Sequence, residues 1–211
     1  METTESATNR ARLARRGQRL EYFTIAWNCL EGLIAIGAGL LAGSISLVGF
    51  GIDSFIEVTS GAALLWRMSH DSDPARTEKT EHWALRIVGL CFLGLAVYVS
   101  LESLSALWHH AAPERSIPGI VLAIASLIVM PFLARAKRRV ASRLGSAAMT
   151  GDAKQTEFCA YLSAILLAGL LSNAAFGLWW ADPAAALVMA PIIAKEGVDA
   201  LRGKTCCEEC A

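Results

Sequence analysis

Residues 22–66 read YFTIAWNCLEGLIAIGAGLLAGSISLVGFGIDSFIEVTSGAALLW, and this stretch decides the fold class. It contains two long apolar segments, 22–42 and 44–66, with Gly43 between them. Each is close to the roughly 20 residues that an α-helix needs to cross the hydrocarbon layer of a bilayer. A single glycine between two such segments leaves room only for a tight turn. The stretch therefore predicts a hairpin of two transmembrane helices.

The rest of the chain is also rich in long apolar segments. Of its 211 residues, 55% are hydrophobic and 18% are charged, which is more apolar material than one soluble core of this size needs. We predict an all-α, polytopic membrane protein with six transmembrane helices. The predicted spans are residues 22–42, 44–66, 87–108, 117–134, 155–178 and 182–201.

The sixth segment is the least certain span. It begins at Asp182-Pro183, which is typical of an N-cap followed by proline in the first turn. Its apolar core ends near Ala194. A short tilted span and a helix lying in the membrane interface both remain open.

Basic residues predict the orientation. With six spans, all of the 19 Lys and Arg residues except Arg115 fall in segments on one side, and such segments stay in the cytoplasm. We expect both termini to be cytoplasmic, and the membrane to be a bacterial inner (plasma) membrane. The predicted parts are a basic arm (1–20), a transmembrane domain (21–203) and a tail (204–211). A net charge of zero argues against nucleic acid as a partner.

Acidic residues lie in the middle of two predicted spans, where ionisable groups are costly and usually functional. Asp53 and Glu57 are four residues apart in the second span, which puts both carboxylates on one helix face, about 6 Å apart along the axis. No Lys or Arg lies deep in a predicted span, so the sequence gives this cluster no counter-ion. It must be protonated or bind a cation; a protonated, hydrogen-bonded packing contact is the alternative.

The fifth span repeats the spacing with Gln155 and Cys159, and Asp152 precedes them by one turn. Because the second and fifth spans run in opposite directions, Asp53 should lie near the depth of Cys159, and Glu57 near that of Gln155. Two carboxylates, an amide oxygen and a thiolate would form a four-ligand metal site. Helix packing is the alternative role for the fifth-span pair. Asp152 is a possible accessory ligand.

Two other groups could handle metal ions or protons. Glu31, in the first span, could be a fifth ligand, a proton carrier or a partner of Asn28. Cys206, Cys207 and Cys210 lie in the tail, and the Cys207-x-x-Cys210 spacing lets two thiolates bind one soft ion. Palmitoylation or a reactive flexible end is the alternative for these cysteines.

With these residues, the chain resembles the cation diffusion facilitators. The segments SISLVGFGIDSFIEV, GDAKQTEFCAYLSAILLAGL and WWADPAAALVMA are similar to the second, fifth and sixth spans of that family. The resemblance implies a six-helix transmembrane domain, a midplane metal site between spans two and five, a homodimer, and proton-coupled export of zinc or a related divalent ion. Family members that handle zinc usually carry His and Asp where this chain has Gln155 and Cys159. The family's cytoplasmic metal-binding domain is expected to be missing.

We therefore expect a secondary transporter that exports a divalent transition metal cation by proton antiport. The lipid bilayer, the metal ion and protons are its expected partners, and no permanently bound cofactor is expected. No nucleotide-binding motif and no intramembrane protease motif occurs in the sequence, so we do not expect an enzyme. A membrane metal sensor that does not transport is the alternative.

Overall fold

The computed structural model describes residues 2–69 and 74–202. Within them the chain forms six α-helices and no strand, which confirms the all-α prediction. The helices are α1 (Glu2–Ala42), α2 (Ile45–Ser69), α3 (Pro74–His109), α4 (Ile117–Leu144), α5 (Ala147–Phe176) and α6 (Ala181–Leu201).

Five of these helices, α1 to α5, are long and apolar enough to cross a membrane. Helix α6 has 21 residues and carries charged residues near both of its ends, including Asp182, Lys195 and Glu196. Because of these charged residues, α6 is less apolar than the five helices that are long and apolar enough to cross a membrane. The chain is an integral membrane protein, and α6 is packed into its helical bundle.

The helix ends follow from local sequence. Gly43 has a φ of 65°, a left-handed conformation that glycine adopts without a steric penalty, and it turns α1 into α2. At the start of α4, the Ser116 hydroxyl accepts a hydrogen bond from the Gly119 backbone nitrogen, and proline occupies the first turn. The predicted hairpin and the predicted start of the fourth span are both confirmed.

The helices pack mainly as three pairs: α1 with α2, α3 with α6, and α4 with α5. Small residues allow two of these pairs to approach closely. A Cβ atom on Gly39 would lie 2.9 Å from the backbone nitrogen of Val48, and one on Gly89 of α3 would lie 2.8 Å from the carbonyl oxygen of Gly197 of α6. Backbones that touch through glycine are typical of helix pairs in membranes.

Large apolar side chains lie on both the inside and the outside of the bundle. Leu47, Phe50 and Met189 are fully buried, whereas Leu41 and Phe132 are among many large apolar side chains that are exposed. An apolar exterior of this extent is what a lipid environment requires.

Helices α4 and α5 extend well beyond the predicted spans. The connection between them consists of residues 145–146 only, so the segment 135–154 between the fourth and fifth predicted spans is almost entirely helical. Residues 135–144 extend α4, and residues 147–154 extend α5, by about two to three turns beyond the predicted spans. Lys137 and Asp152 therefore lie on packed helices. Helix α1 likewise begins at Glu2, so the predicted basic arm is mostly helical.

The predicted N-cap role of Asp182 on its own helix is also wrong. Trp180 occupies the N-cap position of α6 and makes no side-chain capping bond. The Asp182 carboxylate instead accepts hydrogen bonds at the start of α2, from the Ser44 hydroxyl (2.6 Å), the Ile45 backbone nitrogen (2.9 Å) and the Ser46 hydroxyl. A buried carboxylate has to be hydrogen-bonded, and the free N–H groups of a helix start provide that.

Candidate metal centre

A small cavity lies between α2, α3, α5 and α6. Three of the four predicted ligands, Asp53, Glu57 and Gln155, line it. Its volume is about 10 Å³, close to the minimum that holds one water-sized particle. The remaining lining residues are Phe92, Phe158, Leu162, Ile192, Ile193 and Glu196.

Glu57, which lines this cavity, has one carboxylate oxygen without a hydrogen-bond partner. Its side chain is 1% exposed, and its Oε1 atom accepts a hydrogen bond from the Thr156 hydroxyl at 2.9 Å. Its Oε2 atom is buried and has no hydrogen-bond partner. The Asn28 amide faces Glu57 without forming a hydrogen bond of good geometry. A buried acceptor without a partner costs about 1–3 kcal/mol, so the oxygen is ready to bind a proton or a cation.

Asp53 is 6% exposed and shares the cavity with Glu57. The two carboxylates are close enough for their charges to interact, and Glu31 and Glu196 also act on Asp53. The predicted four-residue spacing therefore does bring the acidic pair of α2 to one site.

Cys159, the fourth predicted ligand, does not line the cavity. It is 1% exposed, and its Sγ atom donates to Glu31 Oε2 at 3.8 Å. The same oxygen accepts a hydrogen bond from the Ser54 hydroxyl at 3.0 Å. Glu31 thus bonds to Ser54 and Cys159, and not to Asn28; its roles as a ligand or proton carrier stay predictions.

The predicted register between α2 and α5 agrees with these contacts. Glu57 bonds to Thr156, the neighbour of Gln155. One turn away, Ser54 and Cys159 meet at the same oxygen of Glu31. The residues of α2 and α5 therefore face each other at the depths that the opposite directions of these two helices predict.

A buried cation that was not predicted from the sequence lies next to the acidic pair, although its direct carboxylate partners are Glu21 and Asp152 rather than Asp53 or Glu57. Lys137 of α4 is fully buried, and its Nζ atom donates to Glu21 Oε2 at 3.1 Å, Asp152 Oδ2 at 2.5 Å and Thr156 Oγ1 at 3.2 Å. Thr156 in turn bonds to Glu57. Asp152, a predicted accessory ligand, is therefore engaged in an ion pair, although its Oδ1 atom has no partner.

A sequence signal for the burial of Lys137 was present. It lies seven residues after Met130 and four after Leu133, which are both buried, and three before Val140, which is buried too. This is the spacing of one buried helix face. The run of basic residues from Arg135 to Arg139 is typical of a solvated loop instead, so the two sequence signals disagree.

Glu196 was not among the predicted site residues. It lies four residues after Ile192 and three after Ile193, on the face of α6 that lines the cavity. The same periodicity could have indicated it.

In the described part of the chain, no three His, Cys, Asp or Glu side chains are arranged to hold a metal ion together. The quartet of Asp53, Glu57, Gln155 and Cys159 thus stays a prediction. Cys206, Cys207 and Cys210 lie outside the described residues.

Comparison with known proteins gives the family. Residues 23–204 match the cation efflux transmembrane domain. A protein of Methanocaldococcus jannaschii that is described as an uncharacterized transporter is 30% identical over 186 residues, which are 83% of this chain and 64% of that protein. An uncharacterized transporter of Synechocystis is 23% identical over 160 residues, 73% of this chain and 52% of that protein. The chain thus spans less than two thirds of the length of either relative. It belongs to the family defined by the cation efflux transmembrane domain.

Proposed function

We propose that this protein is a secondary transporter that exports a divalent transition metal cation, zinc or a related ion, in exchange for protons. The observation that carries the proposal is the cavity lined by Asp53, Glu57 and Gln155, of which Glu57 has a buried carboxylate oxygen without a hydrogen-bond partner. The names of the two relatives, both described as transporters, support the same function.

The chemistry of exchange follows from the two carboxylates of α2. An oxygen that binds a proton cannot bind a metal ion at the same time, so the loading of one cargo releases the other. Two acidic side chains in a site walled by Phe92, Phe158 and Leu162 cannot both remain charged there without a cation. The empty carrier therefore returns protonated, and the loaded carrier carries the metal.

Alternating access requires the cavity to open to each side of the membrane in turn. Its walls come from four helices, α2, α3, α5 and α6, so a change in how α2 packs on α5 and α6 alters access to it. Such rocking of helix groups about a midplane site is the usual mechanism of secondary transporters.

The test is metal flux in proteoliposomes that contain only this protein. Vesicles carry an internal metal indicator and an internal pH indicator, and Zn²⁺, Co²⁺ or Mn²⁺ is added outside. We expect metal to enter faster than in protein-free vesicles, with protons leaving as it enters. An imposed pH gradient that is acid inside should speed the uptake.

A metal sensor gives a different result. It binds the same ions, which equilibrium dialysis of the purified protein measures, but the internal metal does not change with time. Binding without flux under every gradient would replace the transporter by the sensor. Flux that is indifferent to the pH gradient and moves no protons would remove the antiport mechanism.

A further inference from the structure

The hydroxyl of Thr156 on α5 lies between the acidic pair of α2 and the buried lysine of α4. The Thr156 side chain is fully buried, and its Oγ1 atom donates to Glu57 Oε1 at 2.9 Å and accepts from Lys137 Nζ at 3.2 Å. Glu21 Oε2 and Asp152 Oδ2 accept the other two hydrogen bonds of the ammonium group. Because an ammonium group has three donors, the Thr156 hydroxyl completes the set of acceptors that Lys137 needs.

A threonine hydroxyl has only one proton to donate, and two acceptors lie within reach of this one. The first is Glu57 Oε1, and the second is the backbone carbonyl oxygen of Asp152, 3.2 Å from Thr156 Oγ1. A rotation about the Cβ–Oγ1 bond moves the proton from one acceptor to the other while the oxygen stays in place. The buried donor is therefore satisfied whether or not Glu57 accepts its hydrogen bond.

The other hydroxyls of α5 show that this arrangement is not ordinary helix packing. Thr150 and Ser163 donate to the carbonyl oxygens four residues earlier in their own helix, at 3.0 and 2.7 Å. Such local bonds are typical of Ser and Thr inside a helix. Thr156 has the same local acceptor available, but its shorter hydrogen bond is to a carboxylate on another helix.

As a result, the two oxygens of Glu57 have different surroundings. Oε1 is fixed by Thr156, whereas Oε2 is buried without a hydrogen-bond partner, and the residue lines the cavity beside Asp53 and Gln155. A carboxylate that a neighbouring hydrogen bond holds in one orientation binds a cation better than a free one, because less side-chain freedom is lost on binding.

We propose that Thr156 is a positioning residue of the cation site, which orients the Glu57 carboxylate for the cargo through its hydroxyl. This inference rests on the proposed function. In the empty site the hydroxyl donates to Glu57 Oε1. When a bound cation takes that oxygen, the hydroxyl proton turns to the Asp152 carbonyl oxygen. Lys137 bonds to the same hydroxyl oxygen and so holds Thr156 next to the site.

Three variants test the role of the hydroxyl. Thr156→Val removes it at nearly constant volume, and Thr156→Ser keeps it. Thr150→Val is the matched control, because it removes from the same helix a hydroxyl that bonds only to the backbone. Thr156→Ala, which has no branched side chain to fit, replaces the valine variant if that protein does not fold. Glu57→Gln is included to show whether transport uses the cavity at all.

The measurements separate positioning from stability. Each variant is made in the full chain with Cys206, Cys207 and Cys210 replaced by serine, so that tail thiols bind no metal. Equilibrium dialysis gives the affinity for Zn²⁺, Co²⁺ and Mn²⁺. Flux into proteoliposomes gives the maximal rate and the metal concentration at half of that rate, and melting temperatures report the fold.

We expect Thr156→Val to weaken metal binding and to raise the half-saturating concentration by about tenfold or more, with Thr156→Ser and Thr150→Val within about twofold of the parent. A merely structural role would lower the melting temperature and the maximal rate and leave the half-saturating concentration unchanged. Rescue by serine shows that the hydroxyl, and not the shape of the side chain, is responsible.

Parental affinity and half-saturating concentration in the variant without the hydroxyl would overturn the inference, and so would equal losses in Thr156→Val and Thr156→Ser. The proposed function survives either result as long as the parent transports metal and Glu57→Gln does not. If the parent neither binds nor transports any of the three ions, the proposed function fails, and this inference fails with it.

Discussion

The Nζ atom of Lys137 lies 2.5 Å from Oδ2 of Asp152, and both side chains are buried in the interface between α4 and α5. Glu21 of α1 is a second carboxylate at the same ammonium group. Through the Thr156 hydroxyl the network reaches Glu57 on α2. One lysine therefore ties together four helices next to the candidate metal site.

Removal of this lysine should destabilise the protein strongly. Lys137→Met keeps the length of the side chain but leaves Glu21 and Asp152 buried without a cation. Breaking a buried pair in this way costs about 3–5 kcal/mol. We expect a clear drop in the melting temperature in detergent at neutral pH, measured by fluorescence-detected unfolding.

The neighbouring residue provides the control. Arg138 pairs with Glu157 on the same two helices, but these side chains are 53% and 38% exposed. An exposed ion pair contributes about 0–1 kcal/mol, so Arg138→Met should have little effect. Equal losses in the two variants would show that the burial of Lys137 is not what stabilises the bundle.

A second prediction concerns the helix start that Asp182 caps. Asp182→Ala removes the acceptor for Ser44, Ile45 and Ser46 and leaves buried donors without a partner. We expect a loss of about 2–4 kcal/mol, the sum of a lost cap and an unsatisfied polar group. Faster hydrogen exchange should appear at the first turn of α2, as measured by mass spectrometry.

Asp199→Ala is the matched control, because it removes an aspartate from the other end of α6. It should change stability by about 0.5 kcal/mol or less and leave exchange at the start of α2 unaltered. If Asp182→Ala behaves in the same way, the contact between α6 and α2 does not hold the first turn of α2 in place.

The topology is a third prediction. Only Arg115, between α3 and α4, was assigned to the outside, and Arg143, at the end of α4, lies on the predicted inner side. In a cysteine-free background, a membrane-impermeant maleimide added to intact cells should label Arg115→Cys and not Arg143→Cys. After the membrane is permeabilised, both should react. Labelling of Arg143→Cys in intact cells would reverse the orientation.

The sequence predicts the helices well because a bilayer demands long apolar segments, and these are visible in residues such as those from 22 to 66. It also predicts the contact between α2 and α5. The four-residue spacing places Asp53 and Glu57 on one face of α2, and the same spacing recurs in α5. It fails for Lys137 and Asp182. Their local surroundings are typical of a loop and an N-cap, but their partners lie on other helices, far away in the chain. For Cys159 the sequence does not indicate the contact of its thiol with Glu31 of α1, and its role as a ligand stays a prediction.

The central claim is that cations cross the membrane through the cavity that Asp53 and Glu57 line. The most direct measurement compares Mn²⁺ and Zn²⁺ flux into proteoliposomes for the parent, Asp53→Asn, Glu57→Gln and the control Glu102→Gln, whose side chain is exposed on α3. The account predicts that both α2 variants fall to the rate of protein-free vesicles while their melting temperatures equal or exceed that of the parent, because a buried acidic pair has lost a charge. Glu102→Gln should transport at close to the parental rate. Near-parental flux through Asp53→Asn and Glu57→Gln would contradict the account.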